Sequence, residues 1–270
     1  MRPKNANEIM EYLEEIYDRI KDFTNEEILH APKELINEPF LMLDKIAAID
    51  IEDKEIDTLL RNESFGPLLQ SISNLRRRYG LRLEIEQALE VLNSSDPWKT
   101  LEKFVFYANY KMLANMEYTG AELNTESKVI FIGSGPLPLS LISLSKHHGI
   151  IGMGIEQDSD RVDLSQKVIE HLELSSKIQI VHGNHLLLPL EESYELIMIA
   201  ASAEPKDDIF AYMAKALPEG TKVTYRVFEK GLRRILDLQK NFIPPPEFKE
   251  YRRIHPTPPV NNTAIFLTKT

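Results

Sequence analysis

Gly133-Ser134-Gly135 stands directly behind an apolar run, Val129–Ile132, and ahead of a helical pattern that begins near Leu137. Glycines in that place let the chain turn sharply and let a ligand approach bare backbone, as in the loop of a Rossmann unit. The third glycine of the usual pattern is absent, with Pro138 in its place, and a plain tight turn would account for the pair equally well. Glu156 closes the second apolar run, 21 residues beyond Gly135. An acid there can accept hydrogen bonds from both ribose hydroxyls of an adenosine ligand, or stand solvated at a strand end. The third run ends near Gly183-Asn184, where an amide can meet the adenine amino group. This order suits an adenosyl ligand without phosphates. Nothing resembles GxxxxGKS/T, which argues against a P-loop nucleoside triphosphatase.

Such residues need a scaffold, and the second half of the chain supplies its pattern. From Lys128 onward, β-rich runs at Val129–Ile132, Ile150–Ile155, Ile178–Val181, Leu196–Ile199 and Val223–Val227 alternate with helical stretches such as Arg161–Leu172 and Asp207–Leu217. Alternating strand and helix predicts a parallel, doubly wound sheet with helices on both faces. A last run, Ala264–Leu267, predicts an antiparallel closing strand. The first half reads differently. It holds three glycines (Gly66, Gly80, Gly120), and apolar residues recur at helical spacing, as in Ile9, Tyr12, Leu13, Ile16 and Ile20. Further patterns run through Ile56, Leu59 and Leu60 and through Leu68, Leu69 and Ile72. Thr24-Asn25-Glu26-Glu27 and Ser95-Asp96-Pro97 carry helix-start signals. The expected organisation is a helical domain over 1–120 and an α/β, Rossmann-type domain over 121–270.

Composition narrows the partners. The 32 basic against 42 acidic residues give a net charge of −10, which argues against a nucleic-acid backbone as ligand. There is no cysteine, so disulfides and thiolate chemistry are excluded. The most apolar stretch, Val129 to Ile155, is interrupted by Lys146-His147-His148, by prolines and by glycines, so no membrane span is expected. The N-terminus has no apolar signal core, and a cytoplasmic protein is the expectation. His182 and His185 follow a strand without an obvious third ligand, and His147-His148 beside Gly149 fits a helix end, so no metal site is expected.

Gly133-Ser134-Gly135-Pro136-Leu137-Pro138-Leu139-Ser140 resembles the characteristic loop of the nicotianamine synthase family. Asp96-Pro97-Trp98, Leu101 and Phe104-Val105-Phe106-Tyr107-Ala108-Asn109-Tyr110 resemble its aromatic segment. Ala203-Glu204-Pro205-Lys206, Tyr225-Arg226, Gly231-Leu232-Arg233 and Val260-Asn261-Asn262-Thr263 resemble its archaeal members. The likeness runs from about Leu81 to the C-terminus, and before that extends only to helical character. It implies transfer of the 3-amino-3-carboxypropyl arm of S-adenosylmethionine to an amine, with release of methylthioadenosine. Nicotianamine carries three such arms, one closed into a four-membered ring, and bacterial relatives add one arm to histidine. Glutamate, histidine or S-adenosylmethionine itself is then the acceptor, with no cofactor beyond S-adenosylmethionine. The rivals are a methyltransferase on the same fold and a non-catalytic adenosyl-ligand binding protein.

The resemblance places the catalytic glutamate and tyrosine at Glu84 and Tyr110, and Gly133, Ser134, Gly135, Pro136, Leu137, Glu156 and Asn184 around S-adenosylmethionine. Helix geometry supports Glu84 independently. Leu81, Ile85, Ala88, Leu89 and Leu92 form an apolar stripe, with Glu84 toward its edge beside Ala88 and Val91. An acid on a buried face is costly unless paired or functional, and desolvation there would make it a stronger base. An ion pair with one of Arg76-Arg77-Arg78 is the structural alternative, as a core position is for Tyr110. Arg226 and Arg233 could clamp substrate carboxylates, or be surface or helix-end arginines. Attack at the methyl carbon is the less hindered reaction. The protein must therefore select the arm by position, with the helical domain closing over the adenosyl site.

Overall fold

The computed structural model describes residues 5–49, 51–62, 65–189, 191–229, 232–236 and 242–270. Its helical first half runs α1 (Ala6–Ile20), α2 (Asn25–His30), α3 (Lys33–Ala47), α4 (Asp53–Arg61), α5 (Gly66–Leu92), α6 (Pro97–Glu102) and α7 (Tyr107–Gly120). Then come β1 (Lys128–Ile132), α8 (Leu139–His148), β2 (Ile151–Glu156), α9 (Ser159–His171), β3 (Ile178–His182) and β4 (Leu196–Ile199). The chain finishes with α10 (Lys206–Ala216), β5 (Lys222–Val227), α11 (Arg233–Leu236), β6 (Phe248–Ile254) and β7 (Thr263–Lys269). The predicted strands are all present within a residue or two. β6 is additional, and α8 starts at Leu139 with Pro138 before it, two residues later than expected.

Two compact units form. One comprises residues 1–83 and 228–240, the other 84–227 and 241–270. The division thus falls inside α5, whereas the change in sequence pattern lies near 120. Within the first unit, Ile9, Leu13, Ile16 and Ile20 of α1 are fully buried, the predicted stripe of an amphipathic helix. Phe40 of α3 stacks on Tyr79 of α5 with ring centroids 4.3 Å apart. Thr24 and Glu27 close a capping box at α2, as the sequence signal implies.

The second unit holds a seven-stranded sheet, among the described residues, in the order β3-β2-β1-β4-β5-β7-β6. β1 to β5 pair in parallel and β7 runs antiparallel to both β5 and β6. The last apolar run is antiparallel as expected, but it is not the closing strand: β7 is interior and β6 forms the edge. The chain steps one way from β1 through α8 and α9 to β3, and the other way from β4 through α10 to β5. Right-handed crossovers then put helices on both faces, and the reversal between β1 and β4 opens a crevice at the strands' carboxyl ends. This is a Rossmann-type α/β fold. No described helix is long and apolar enough to cross a membrane.

Candidate active site

The crevice at the β1/β4 reversal is built first from backbone. Gly133 and Gly135 have φ of +78° and +73°, a region that disfavours any Cβ. Gly133 also abuts the loop after β4: an added Cβ would lie 3.1 Å from that of Ala203. Ser134 is buried beneath the loop, and its Oγ has no hydrogen-bond partner. Pro136 and Leu137 are buried too, so they shape the loop from behind.

Glu156, at the end of β2, organises this loop. It is only 4% exposed. Its Oε2 accepts from Gly135 N at 3.0 Å, and its Oε1 accepts from Gln157 N and Asp158 N at 3.0 and 3.1 Å. Arg161 Nη1 stands 3.5 Å from Oε1. A carboxylate offers about four acceptor sites, so three N–H donors leave room for about one more. The expectation that Glu156 takes both ribose hydroxyls is therefore met only if a loop amide lets go.

Glu84 reaches the same loop from α5, in the same unit. A Cβ on Gly135 would lie 3.2 Å from Glu84 Oε2, so only glycine leaves the carboxylate its place. Tyr110, on α7, donates its hydroxyl to Glu84 Oε1 at 3.4 Å. Both residues are half-buried, with their polar ends the enclosed part. Burial pushes the Glu84 carboxyl up to about 7; the Tyr110 hydrogen bond and the Arg161 charge pull it down, and the Glu156 charge adds to the rise. Burial and then the Glu84 charge push the Tyr110 hydroxyl upward, so it stays a proton donor. A carboxylate half ionised near neutral pH, oriented by a phenol and facing a glycine loop, can take a proton from a nucleophile at the sheet edge.

The buried face of α5 differs from the predicted stripe. Ala88 and Val91 are fully buried and Gln87 nearly so, whereas Leu89 is 47% exposed. This rotation brings Glu84 onto the buried face and away from its edge. Arg76, one of its candidate ion-pair partners, bonds Asp44 at 2.7 Å instead.

Arg226, a candidate clamp for a substrate carboxylate, is held by the chain itself. It is 4% exposed, and Nε and Nη2 bind Glu117 Oε1 and Oε2 at 2.8 Å each, with Ser140 Oγ a further 2.7 Å contact. Its bidentate face is already occupied by a carboxylate of the chain. Arg233 lies on α11, in the first unit. Asn184 stands exposed after β3, and its Oδ1 accepts from Leu186 N at 2.9 Å, capping the turn His185–Leu187.

Two participants, Arg161 and Glu117, were not singled out in the sequence. Arg161 is one more charge at a helix start until the fold puts it beside Glu156. Glu117 is fully buried seven residues after Tyr110 on α7. An acid among the apolar positions Leu113 and Ala114 was the available clue. His147 and His148 do sit at a helix end: Gly149 has a left-handed φ of +71°, and His148 stacks on Tyr118. Among the described residues no cluster of three or more His, Cys, Asp or Glu could hold a metal ion.

The profile of the family described as "Nicotianamine synthase protein" matches residues 2–270, which adds the first 80 residues to the likeness seen in sequence. Nicotianamine synthase 2 of Arabidopsis thaliana is 28% identical over 185 residues, 64% of this chain and 58% of the plant protein. Nicotianamine synthase 1 of the same plant is 25% identical over a similar span. The aligned part thus covers a little over half the length of these curated relatives. A crystal structure of a glutamate-to-glutamine mutant of MtNAS, in complex with S-adenosylmethionine, superposes with a TM-score of 0.83 at 27% identity. That match covers 96% of this chain and 97% of that one. MtNAS in complex with MTA and tNA gives a TM-score of 0.79 at 27% identity, covering 98% and 97%.

Proposed function

The chain belongs to the nicotianamine synthase family, and from that premise we propose that it moves the aminocarboxypropyl arm of S-adenosylmethionine onto an amine, forming nicotianamine or a close relative and releasing methylthioadenosine. The observation that carries this reading is the Glu84–Tyr110 pair set against Gly135 within one unit. A base beside the loop serves methyl transfer to an amine as well, so the choice of the arm over the methyl group rests on the family to which the chain belongs. The residues fit an adenosyl substrate: bare glycine backbone, a buried acid on that backbone, and an unpartnered Ser134 hydroxyl beneath it.

In the proposed reaction the acceptor amine arrives neutral and its lone pair attacks Cγ of the arm. The Cγ–S bond breaks and its electron pair neutralises the sulfonium, leaving a thioether. Glu84 takes the proton that the new C–N bond makes acidic, and Tyr110 holds the Glu84 carboxylate while it does so. Placing the amine about 3–3.5 Å from Cγ, with the methyl turned away, is the selection that the walls must provide.

Incubation with S-adenosylmethionine, alone and with glutamate or histidine, followed by mass spectrometry, tests the reading. Methylthioadenosine with a product heavier by one or more aminobutyrate units supports it and identifies the acceptor. S-adenosylhomocysteine with a methylated product overturns it.

A further inference from the structure

Val260-Asn261-Asn262-Thr263 has taken no part in the site so far. Asn262 is 7% exposed, and its Nδ2 is enclosed without a hydrogen-bond partner. A buried amide N–H left without an acceptor is costly, and a chain keeps one chiefly where something else completes it.

The register of β7 shows what Asn262 faces. The Phe266 ring packs onto Gly120 of α7, leaving no room for a side chain there. Ala264 pairs with Arg226, whose guanidinium reaches Glu117 of α7. Asn261 N donates to Asn109 Oδ1 at 3.1 Å. Going back along β7 therefore means moving down α7, from Gly120 through Glu117 to Asn109. Asn262 immediately precedes β7, next to that bond. Its enclosed amide therefore stands beside the turn of α7 that carries Asn109 and Tyr110, at the carboxyl edge of the sheet.

The cations nearby are already engaged. Arg226 is held by Glu117, Arg161 by Glu156 and Asp158, and Lys206 Nζ by the carbonyls of Ala201 and Ala203. A carboxylate entering this part of the crevice meets a neutral donor first. We propose that Asn262 Nδ2 donates to the α-carboxylate of an amino-acid substrate, either that of the S-adenosylmethionine arm or that of the acceptor. This rests on the transferase reading for its chemistry, since both substrates carry such a group.

Asn262→Leu and Asn262→Asp separate the possibilities, with calorimetric binding of S-adenosylmethionine and of methylthioadenosine, which lacks the arm. The leucine variant is expected to melt, free of ligand, no lower than the wild type, because the amide has no internal partner to lose. If the arm is the ligand, S-adenosylmethionine affinity falls roughly tenfold to a hundredfold, as for a lost bond to a charged group, while methylthioadenosine affinity holds. If the acceptor is the ligand, both affinities hold and the acceptor KM rises by a similar factor with kcat little changed. The aspartate variant should be the worse in whichever quantity moves, since it sets like charges together. Unchanged affinities and unchanged KM in both variants would overturn the assignment, as would equal weakening of both adenosyl ligands with a lowered melting temperature. The wild type's reaction product checks the transferase reading separately, and the comparison of the two binding constants stands whatever that product is.

Discussion

Glu84→Gln keeps the side chain's shape and an oxygen for the Tyr110 hydroxyl, and removes only the charge. Two effects of opposite sign follow. Loss of the base should lower kcat about a hundred- to ten-thousandfold, with S-adenosylmethionine binding retained. Stability should move the other way. Burial shifts the Glu84 carboxyl from 4.5 to about 7, so the ionised form in the folded chain is disfavoured by up to about 3 kcal/mol. Between those two pH values the fold holds a proton that the unfolded chain gives up. Stability from this group therefore falls as pH rises through the window, and the whole penalty is present above about 7. Glutamine escapes it. The variant should melt a few degrees above the wild type at pH 8, and the gap should close toward pH 5. The same ionisation governs kinetics: wild-type kcat/KM, expressed per concentration of neutral acceptor amine, should climb about tenfold per pH unit below 7 and level off above it. Calorimetric melting at the two pH values and chromatographic release of methylthioadenosine measure both halves. A variant with near wild-type turnover, or a melting difference that is the same at pH 5 and pH 8, would refute the reasoning.

Three further outcomes are expected. Tyr110→Phe removes the bond that pulls Glu84 downward, so the rising limb of the pH–rate profile should move to higher pH while its plateau drops; an unmoved limb would mean that the hydroxyl does not act on Glu84. Gly135→Ala forces a Cβ onto a φ of +73° and against Glu84 Oε2, costing about 1–2 kcal/mol of backbone strain and displacing the base. Weakened S-adenosylmethionine binding and slowed turnover together, by calorimetry and product assay, are the sign of it. Glu117→Leu or Arg226→Met alone strands a buried charge and should cost about 3–5 kcal/mol in denaturant unfolding. The double variant should lose much less than the sum, and strict additivity would contradict the pairing.

The sheet was legible because its central strands β1 and β4 are buried on both faces and read as short apolar runs. β6 was not legible for the converse reason. Phe248–Ile254 is an edge strand whose Lys249, Glu250 and Arg253 face solvent, so its composition resembles a loop. α5 misled in a different way. Its 27 residues belong to two units, divided between Leu83 and Glu84, and a single helical wheel cannot describe two burial faces. The stripe that fits Leu81 and Ile85 therefore carries on to Leu89, which is exposed, and passes over Val91, which is not. The placement of Glu84 and Tyr110 came from the family likeness, with the helix pattern as support. Arg226 shows the limit of both: its partner Glu117 is 109 residues away in sequence, and no local signal separates an arginine that binds a ligand from one that binds the chain.

The charges around Glu84 suit a reaction in which a positive charge passes from sulfur to a nitrogen beside a base. Before transfer, a sulfonium in the crevice would add a cation to a carboxyl already drawn down by Arg161 and held up by burial and Glu156. That cation favours ionised Glu84, the form able to accept a proton. Once the Cγ–S bond breaks, the sulfur is neutral and the positive charge sits on the new ammonium, whose proton the ionised Glu84 takes. A base held far below neutral by a strong ion pair would be a weaker acceptor for that proton, and one raised further by burial would be more fully protonated at neutral pH. Arg161 sits 3.5 Å from Glu156 and acts on Glu84 by its charge alone, which keeps the base between those extremes.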